Sequence, residues 1–328
     1  MTRKPAWKNV ETKRNGSGTV AGIFVVFVLF GFLAFGFIKN LHIGANKVSR
    51  AGANTYLAIL GTKPTSLFAF QKETAKAAIF TLDDEKKVIS GVGAGDLVKI
   101  DELKNRGDGL SFLNSMTLAF RAKISNYILF KDAQAMRVED IKKELDKFTS
   151  YRTLIAILFR GEDRDNIKST NITRFDEIKL WWQLKSVRTE NIKITDLGGK
   201  ESEKSTSDGQ KVLGVDEASL NRSLQDFSQS DEVTGEYIKV TVNNPSKNQI
   251  LSQLAVGFVD NIGADLREVR EDGVIVEKTI IYTDRESSKT ARYLATIFNC
   301  DIKRLPETEN QDTVLVVLGS DFGNIYLK

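Results

Sequence analysis

The chain has 328 residues, and its 47 basic and 43 acidic residues leave a formal net charge of only +4 at pH 7. This length exceeds what one hydrophobic core usually serves, and the balanced charge without a basic stripe argues against a nucleic-acid-binding protein. A single cysteine, Cys300, and a single histidine, His42, exclude an internal disulfide, a Cys/His zinc site and histidine-based catalysis. Cys300 follows an apolar helical pattern and is interpreted as a small buried residue.

A long apolar segment lies near the N-terminus. Residues 20–38 read VAGIFVVFVLFGFLAFGFI. Nineteen residues at helical rise span about 28 Å, close to the hydrocarbon thickness of a bilayer, whereas a secretory signal core needs only about 7–15 residues. We therefore predict a basic tail over 1–18, one transmembrane helix over 19–38 and a tether over 39–53.

Basic residues on either side of this segment indicate its orientation. Five precede it and three follow it, which favours a cytoplasmic N-terminus. We expect a single-pass protein of the cell membrane that contacts the lipid bilayer through residues 19–38 and has extracytoplasmic C-terminal domains.

The segment after the tether, residues 54–197, has the pattern of a mixed α/β domain. Short apolar runs separated by turn residues predict strands at 56–60, 66–70, 76–82 and 87–92. Later patterns predict a helix within 107–121, a strand at 127–130, a helix over 133–148 and a strand at 190–197. Thr173, with Asp176 three residues later, predicts the capped start of a further helix that includes Trp181.

Adjacent tryptophans in this helix are a candidate carbohydrate platform. Trp181 and Trp182 would suit stacking on a sugar. Their place in an amphipathic pattern favours core packing instead.

Two loops are candidate anion sites. Arg160 and Arg164 stand in the charged loop RGEDRD, and Gly93 and Gly95 stand in a glycine-rich loop whose N–H groups would suit a phosphate. We favour a solvated, self-neutralising loop for the first. The second lacks the Lys-Ser/Thr of a P-loop and is interpreted as an ordinary glycine-rich loop.

A change of composition marks the end of this domain. Residues 198–211 read GGKESEKSTSDGQK and contain no apolar residue. This predicts a flexible linker over 198–235 with a short helix at 216–227.

Residues 236–328 alternate as β-α-β-β-α-β-β, which is typical of a small two-layer α/β sandwich. Capping boxes predict that its first helix begins after Ser246, with Gln249, and its second after Thr283, with Glu286.

The C-terminal segment resembles a known domain. It combines a strand–helix–strand opening, a strand at 280–282 before an Ala- and Leu-rich helix, and the sequence VVLGSD at 316–321. Residues 236–322 thereby resemble the LytR C-terminal domain of cell-envelope proteins. They depart from it after the first strand, where Asn243-Asn244-Pro245 replaces the family's Asn-Gly.

The preceding domain carries a related resemblance. YLAILGT at 56–62 and KISNYILF at 123–130, before an amphipathic helix, resemble the first strand with its Gly-Thr turn and the central strand of the LytR-CpsA-Psr (LCP) domain. The resemblance implies a bacterial protein with an α/β fold. Active LCP members are implied to transfer glycopolymers from a polyprenyl-pyrophosphate carrier to the wall, using arginines for the pyrophosphate and acidic residues for a divalent metal.

The three LCP catalytic motifs are absent where the resemblance assigns them. Asp-x-Arg would follow the Gly-Thr turn, where Lys63-Pro64-Thr65 stands. Arg-Ser-Asp would lie near Lys72-Glu73-Thr74, and Pro-Arg-Asp near Gly91–Gly95. A site that loses several members acting as a unit normally loses its activity.

We therefore expect a membrane-anchored, non-catalytic cell-envelope protein that acts as a binding or scaffold module, with no catalytic residues, metal or cofactor. Cell-wall glycan or envelope proteins are its expected partners. The alternative is a divergent LCP-type phosphotransferase, which would need Mg²⁺ and a site rebuilt by Arg160, Asp163 and Arg164. A cytoplasm-facing regulator is a third hypothesis, against which the basic tail argues.

Overall fold

A computed structural model of the chain describes residues 55–71, 74–91, 96–131, 138–151, 167–188, 190, 192–198, 201–205, 211–285, 287–305 and 313–327. The predicted tail, transmembrane helix and tether lie outside these residues. Of the helices that are described, none is both long and apolar enough to cross a membrane. Lys47–Lys328 forms one compact unit separate from Met1–Asn46, so we expect this unit to fold without the N-terminal segment.

Six strands form the first sheet, in the order β7-β6-β1-β2-β3-β8. They are β1 (Thr55–Gly61), β2 (Thr65–Gln71), β3 (Lys76–Leu82), β6 (Asn126–Phe130), β7 (Ile167–Thr170) and β8 (Lys193–Asp196). Strand β1 is parallel to β6 and β3 is parallel to β8, whereas β1–β2, β2–β3 and β6–β7 are antiparallel. Every residue of β2 except Gln71 is buried, because helices cover both faces of the sheet.

The two faces of this sheet pack against different helices. One face shares a core with α1 (Ile100–Arg106) and α2 (Gly109–Phe120), next to a short antiparallel pair, β4 (Lys87–Ile89) and β5 (Leu97–Lys99). The other face packs against α3 (Val138–Phe148) and α4 (Arg174–Leu184). Successive side chains on a strand point to opposite faces of the sheet, so alternate residues of each strand contribute to the two cores.

The segment predicted to be a flexible linker is folded in its described part. Strands β9 (Glu201–Ser205) and β10 (Lys211–Val215) form an antiparallel hairpin, and α5 (Glu217–Ser228) follows at nearly the predicted helix. An antiparallel ladder pairs backbone groups and does not require apolar side chains, so composition alone did not predict it. Val215 and Leu220 then enter the first core.

The second sheet has five strands in the order β12-β11-β15-β13-β14. Its elements, after a helical turn α6 (Asp231–Thr234), are β11 (Lys239–Asn243), α7 (Gln249–Asn261), β12 (Asp265–Arg270), β13 (Ile280–Thr283), α8 (Lys289–Phe298), β14 (Asp301–Arg304), β15 (Thr313–Val317) and α9 (Ser320–Tyr326). This is the predicted β-α-β-β-α-β-β order with one additional short helix at the end. Leu118 of α2 belongs to the core of this second sheet, so α2 joins the two halves.

The junction between the sheets is polar as well as apolar. Helix α2 ends at Arg121, which has a left-handed backbone with φ 48°. The Arg121 carbonyl accepts a hydrogen bond from Asn261 Nδ2 at 2.9 Å, and its guanidinium donates to Gln253 Oε1 at 2.8 Å. Lys123 Nζ donates to the Tyr326 hydroxyl at 2.7 Å.

Candidate functional site

A polar cluster lies at the turn between β1 and β2, where the LCP resemblance places the first catalytic motif. Strand β1 ends at Gly61, and β2 begins at Thr65 after a turn that contains a cis peptide bond between Lys63 and Pro64. Thr62 Oγ1 donates to the carbonyl of Pro64 at 2.7 Å and lies 3.0 Å from Ser66 Oγ. These contacts hold the turn closed against the start of β2.

Asp84 is the acidic member of the cluster. It follows β3 and is only 4% exposed. Its Oδ1 accepts hydrogen bonds from the backbone N–H of Thr65 at 3.0 Å and from the Thr65 hydroxyl at 2.6 Å. Its Oδ2 lies 2.6 Å from Lys104 Nζ, in an ion-pair contact. Both carboxylate oxygens therefore have partners within the protein.

Lys104 is the basic member of the cluster. It stands on α1, a helix that ends at Gly107 in the left-handed conformation with φ 74°, and it is only 6% exposed. Besides the Asp84 contact, its Nζ donates to the carbonyl of Thr62 at 3.0 Å. Lys168 Nζ of β7 donates to the carbonyl of Asn105 at 3.3 Å, at the carboxyl end of the same helix. The buried Lys104 ammonium thus joins the turn between β1 and β2 to α1.

The charges of Asp84 and Lys104 neutralise each other. A buried carboxylate and a buried ammonium in contact leave no net charge to attract a phosphate or a metal ion. The cation is a lysine, which lacks the planar fork that an arginine uses for two-point contact with phosphate. A Mg²⁺ ion needs free oxygen ligands, and the ammonium next to Asp84 Oδ2 would repel it, so these residues do not fit the metal that LCP catalysis is implied to use.

Among the described residues, no group of three or more His, Cys, Asp or Glu side chains is placed to hold a metal ion.

The strand positions correct the sequence-based assignment of the second and third motifs. The next strand after Gly61 begins at Thr65, so the residues before it belong to the turn, whereas Lys72–Thr74 precedes β3. The strand that follows ends at Leu82, and Asp83-Asp84 comes directly after it, well before Gly91–Gly95. Asp84 was therefore missed, although its place after the buried strand predicted at 76–82 was a usable signal.

The structure does not describe the predicted anion-binding residues, so it does not place them at this cluster. Arg160, Arg164, Gly93 and Gly95 all lie outside the described residues.

The predicted tryptophan pair divides between core and surface. Trp181 is 1% exposed and its Nε1 donates to the carbonyl of Ser150 at 3.0 Å, so its face is not accessible to a sugar. Trp182 is 73% exposed. Stacking on a glycan therefore stays a prediction for Trp182 alone.

Cys300 is half-buried, and its burial, together with the nearby carboxylates of Asp321 and Asp301, raises the pKa of its thiol to about 12. Because the thiolate is the nucleophile, a thiol with this pKa is unreactive near neutral pH.

Comparisons with known proteins found similar solved structures only. No protein-family model and no curated protein matches the chain. Lin1025 from Listeria innocua is 13% identical over 53% of this chain and 97% of its own, with a TM-score of 0.37. TagU from B. subtilis is 10% identical over 54% of this chain and 98% of its own, with a TM-score of 0.37.

A further similar structure is a LytR-CPS2A-psr family protein, YwtF (TagT), with bound octaprenyl pyrophosphate lipid. It is 15% identical over 54% of this chain and 92% of its own, with a TM-score of 0.35.

Proposed function

We propose that this chain is a membrane-anchored, non-catalytic cell-envelope protein that acts as a binding or scaffold module in cell-wall organisation. The single observation that carries the non-catalytic part is the closed Asp84–Lys104 pair at the turn after β1. Phosphoryl transfer depends on positioned charges that face the transferred group, and here each charge faces the other.

The membrane and envelope parts of the proposal rest on the sequence. Residues 19–38 have the length and composition of a bilayer span, and the excess of basic residues before it favours extracytoplasmic domains. The resemblance to the LCP and LytR C-terminal domains supports a place in the bacterial cell envelope, with glycan or envelope proteins as partners.

A turnover assay on Lys47–Lys328 tests the proposal. The protein is supplied with a polyprenyl-pyrophosphate-linked glycan, Mg²⁺ and isolated wall material, and the released polyprenyl product is measured. We expect no release above a protein-free control. Sedimentation with the wall material in the same samples would show whether wall glycan is the partner.

A divergent phosphotransferase is the second candidate, because Asp84 keeps an acidic residue after β3. Release that is lost in Asp84→Asn, or in Arg160→Ala/Arg164→Ala, would overturn the non-catalytic proposal. Arg188→Ala is the matched control, since this exposed arginine lies in the loop before β8. Circular dichroism of each variant separates loss of activity from loss of folding.

A further inference from the structure

We propose that β12, the edge strand of the second sheet, is a self-association site at which two copies of this chain pair antiparallel about a two-fold axis. The pairing joins the two five-stranded sheets into one continuous sheet. This inference goes beyond the proposed function and does not depend on the membrane anchor. Three features carry it: the open edge of β12, the order of its charged residues, and a bulge that brings matching residues to the same face.

Strand β12 lies at the edge of its sheet. Among the strands that the structure describes, it pairs with β11 on one side only. Its six residues read DLREVR, of which Leu266 and Arg270 are half-buried and the other four are exposed. Even the apolar Val269 is 41% exposed. An edge strand that is exposed along its length presents backbone N–H and C=O groups to which another strand can pair.

The charged residues of β12 indicate which strand fits this edge. Charges on an edge strand usually oppose pairing with other chains, but the sequence of β12 is complementary to its own reverse. A second copy that runs antiparallel produces three kinds of opposite pair, which are Asp265 with Arg270, Leu266 with Val269, and Arg267 with Glu268. The two-fold axis generates each pair twice. Opposite charges directly across two strands stabilise the pairing and like charges destabilise it, so the partner that fits is a second copy of this chain.

A β-bulge makes this register possible. Directly opposite residues of two paired strands point to the same face, whereas Leu266 and Val269, three residues apart, would point to opposite faces of a regular strand. The pairing of β12 with β11 shifts by one residue after Val240, so Arg267 is an extra residue in β12. Leu266 is therefore in register with Val240, and Val269 is in register with Val242. Both valines of β11 are buried in the second core, so Leu266 and Val269 lie on this same face.

The same bulge brings the outer charged residues to the other face of the sheet. The register with β11 places Asp265, Glu268 and Arg270 together on that face. Hydrogen bonds within the strand agree, since Arg270 Nε and Nη2 donate to Glu268 Oε1 at 3.0 and 2.7 Å. In the two-fold pair, Arg270 keeps this contact and also lies opposite Asp265 of the second copy. Each end of the paired strands is thus closed by opposite charges.

Disulfide formation between two full chains tests the register. In a Cys300→Ser background, one chain carries Asp265→Cys, and a second chain with a different tag carries Arg270→Cys. When the two are expressed together and mildly oxidised, we expect a disulfide between them, because the two positions lie opposite each other. Either variant expressed alone should not cross-link, since its cysteines would lie five residues, or about 15 Å, apart along the pair. A disulfide needs Cα atoms within about 7 Å.

Charge reversal at the centre of the pair tests the complementarity. Arg267→Glu added to both chains puts like charges opposite each other and should lower the cross-link yield about tenfold, and Glu268→Arg in both chains should do the same. Arg267→Glu in one chain and Glu268→Arg in the other make every central pair attractive again and should restore the yield. Arg304→Glu is the matched control, because it reverses an exposed arginine on β14, the opposite edge of the same sheet, and should leave the yield unchanged.

Each outcome decides for or against the pairing. A disulfide that forms only in the mixed chains, is lost on charge reversal and returns in the exchanged combination supports it. No disulfide between the Asp265→Cys and Arg270→Cys chains, or equal cross-linking by either variant alone, would overturn it. A yield that charge reversal leaves unchanged would also overturn it, because association would then not depend on the charges of β12. Recovery in the exchanged combination, which contains the same two substitutions, rules out misfolding as the cause of the loss.

Discussion

Asp84 and Lys104 are each almost completely buried, and each is the other's charged partner. Removing one member of a buried ion pair leaves an uncompensated charge in the core, which costs about 3–5 kcal/mol. We therefore expect Lys104→Met to lower the free energy of unfolding of Lys47–Lys328 by about this amount, because Asp84 would keep only its Thr65 contacts. Urea denaturation followed by far-UV circular dichroism measures the change.

The double variant Asp84→Asn/Lys104→Met is the control for this prediction. It removes both charges, so it should recover part of the stability that Lys104→Met loses. Equal losses in the single and double variants would mean that the two charges are not coupled, and the reading of the cluster as a closed pair would be wrong.

The tryptophan pair shows how far single residues can be predicted from the sequence. Helical spacing indicated that this part of α4 packs in the core, and for Trp181 the structure places the side chain there. Successive residues on a helix differ by about 100° in direction, so Trp181 and Trp182 had to point to different sides. Which of the two is buried depends on the sheet beneath α4, and no local pattern contains that information.

Helix starts show the same limit at the scale of elements. The capping box of Thr173 and Asp176 is confirmed, with each side chain accepting a hydrogen bond from the other residue's backbone N–H. The box predicted after Ser246 is wrong, because Asn248 is the N-cap of α7 and accepts from the second and third residues of the helix. A Ser/Thr residue followed by Glu or Gln three positions later recurs by chance, and only the backbone conformation selects the true cap.

The start of α8 could not have been found locally. The predicted cap at Thr283 is wrong, since the helix begins at Lys289 with Ser288 as N-cap. Glu236, which lies 54 residues before Thr290, supplies a second cap. The Glu236 carboxylate accepts hydrogen bonds from the backbone N–H groups of Lys289 and Thr290. The tertiary fold supplies this anion to the positive end of the helix.

This cap predicts a dependence of stability on pH. Burial alone would raise the pKa of the Glu236 carboxyl, but the hydrogen bonds from Thr290, Lys289 and Ser288 hold the pKa below its ordinary value of 4.5. A depressed pKa stabilises the fold above pH 4.5, and the contribution is lost as the pH falls through the lower, folded-state value. Glu236→Gln should therefore lower the free energy of unfolding by about 1 kcal/mol at pH 7.

Thermal or urea unfolding at several pH values measures this effect. The difference between the unmodified protein and Glu236→Gln should be constant above pH 4.5 and should shrink as the pH falls below it. Glu232→Gln is the control, because Glu232 makes only an exposed ion pair with Lys289 at 3.2 Å and should contribute little. A difference between the Glu236 variant and the unmodified protein that does not change with pH would contradict the cap.

At the scale of the whole molecule, the segment predicted to be a linker contributes, with α2, to the junction of the two sheets. Leu220 and Leu224 of α5 lie in the first core, while Ser228 Oγ donates to the carbonyl of Asn261 of α7 at 2.7 Å. Asn221 contacts Asn261 as well. The sequence predicted the element order of both halves but not their union, because polar residues such as Asn221 and Ser228 resemble surface residues until their partners on another helix are known.

Helix α7 packs tightly against the end of α2 at Gly257. A Cβ atom there would lie 2.4 Å from Arg121 Cβ and 2.6 Å from the Arg121 carbonyl oxygen, so even a methyl group would push α7 away from the end of α2. Arg121 has little freedom to yield, since it sits in a left-handed conformation and its carbonyl accepts from Asn261. We expect Gly257→Ala to weaken the junction without disrupting either core.

Two probes can detect this separation in Lys47–Lys328. Its tryptophans, Trp181 and Trp182, both lie on α4 and report on the first sheet, whereas far-UV circular dichroism reports on the whole unit. For the unmodified protein we expect coincident urea transitions, which indicate one cooperative unit. In Gly257→Ala, the circular dichroism transition should begin at lower urea than the fluorescence transition, because the second sheet would unfold first.

Gly323→Ala is the matched control: its Cβ would meet only the flexible Leu251 side chain at 3.3 Å, so its transitions should remain coincident. Coincident and unshifted transitions in Gly257→Ala would mean that this contact does not hold the two sheets together.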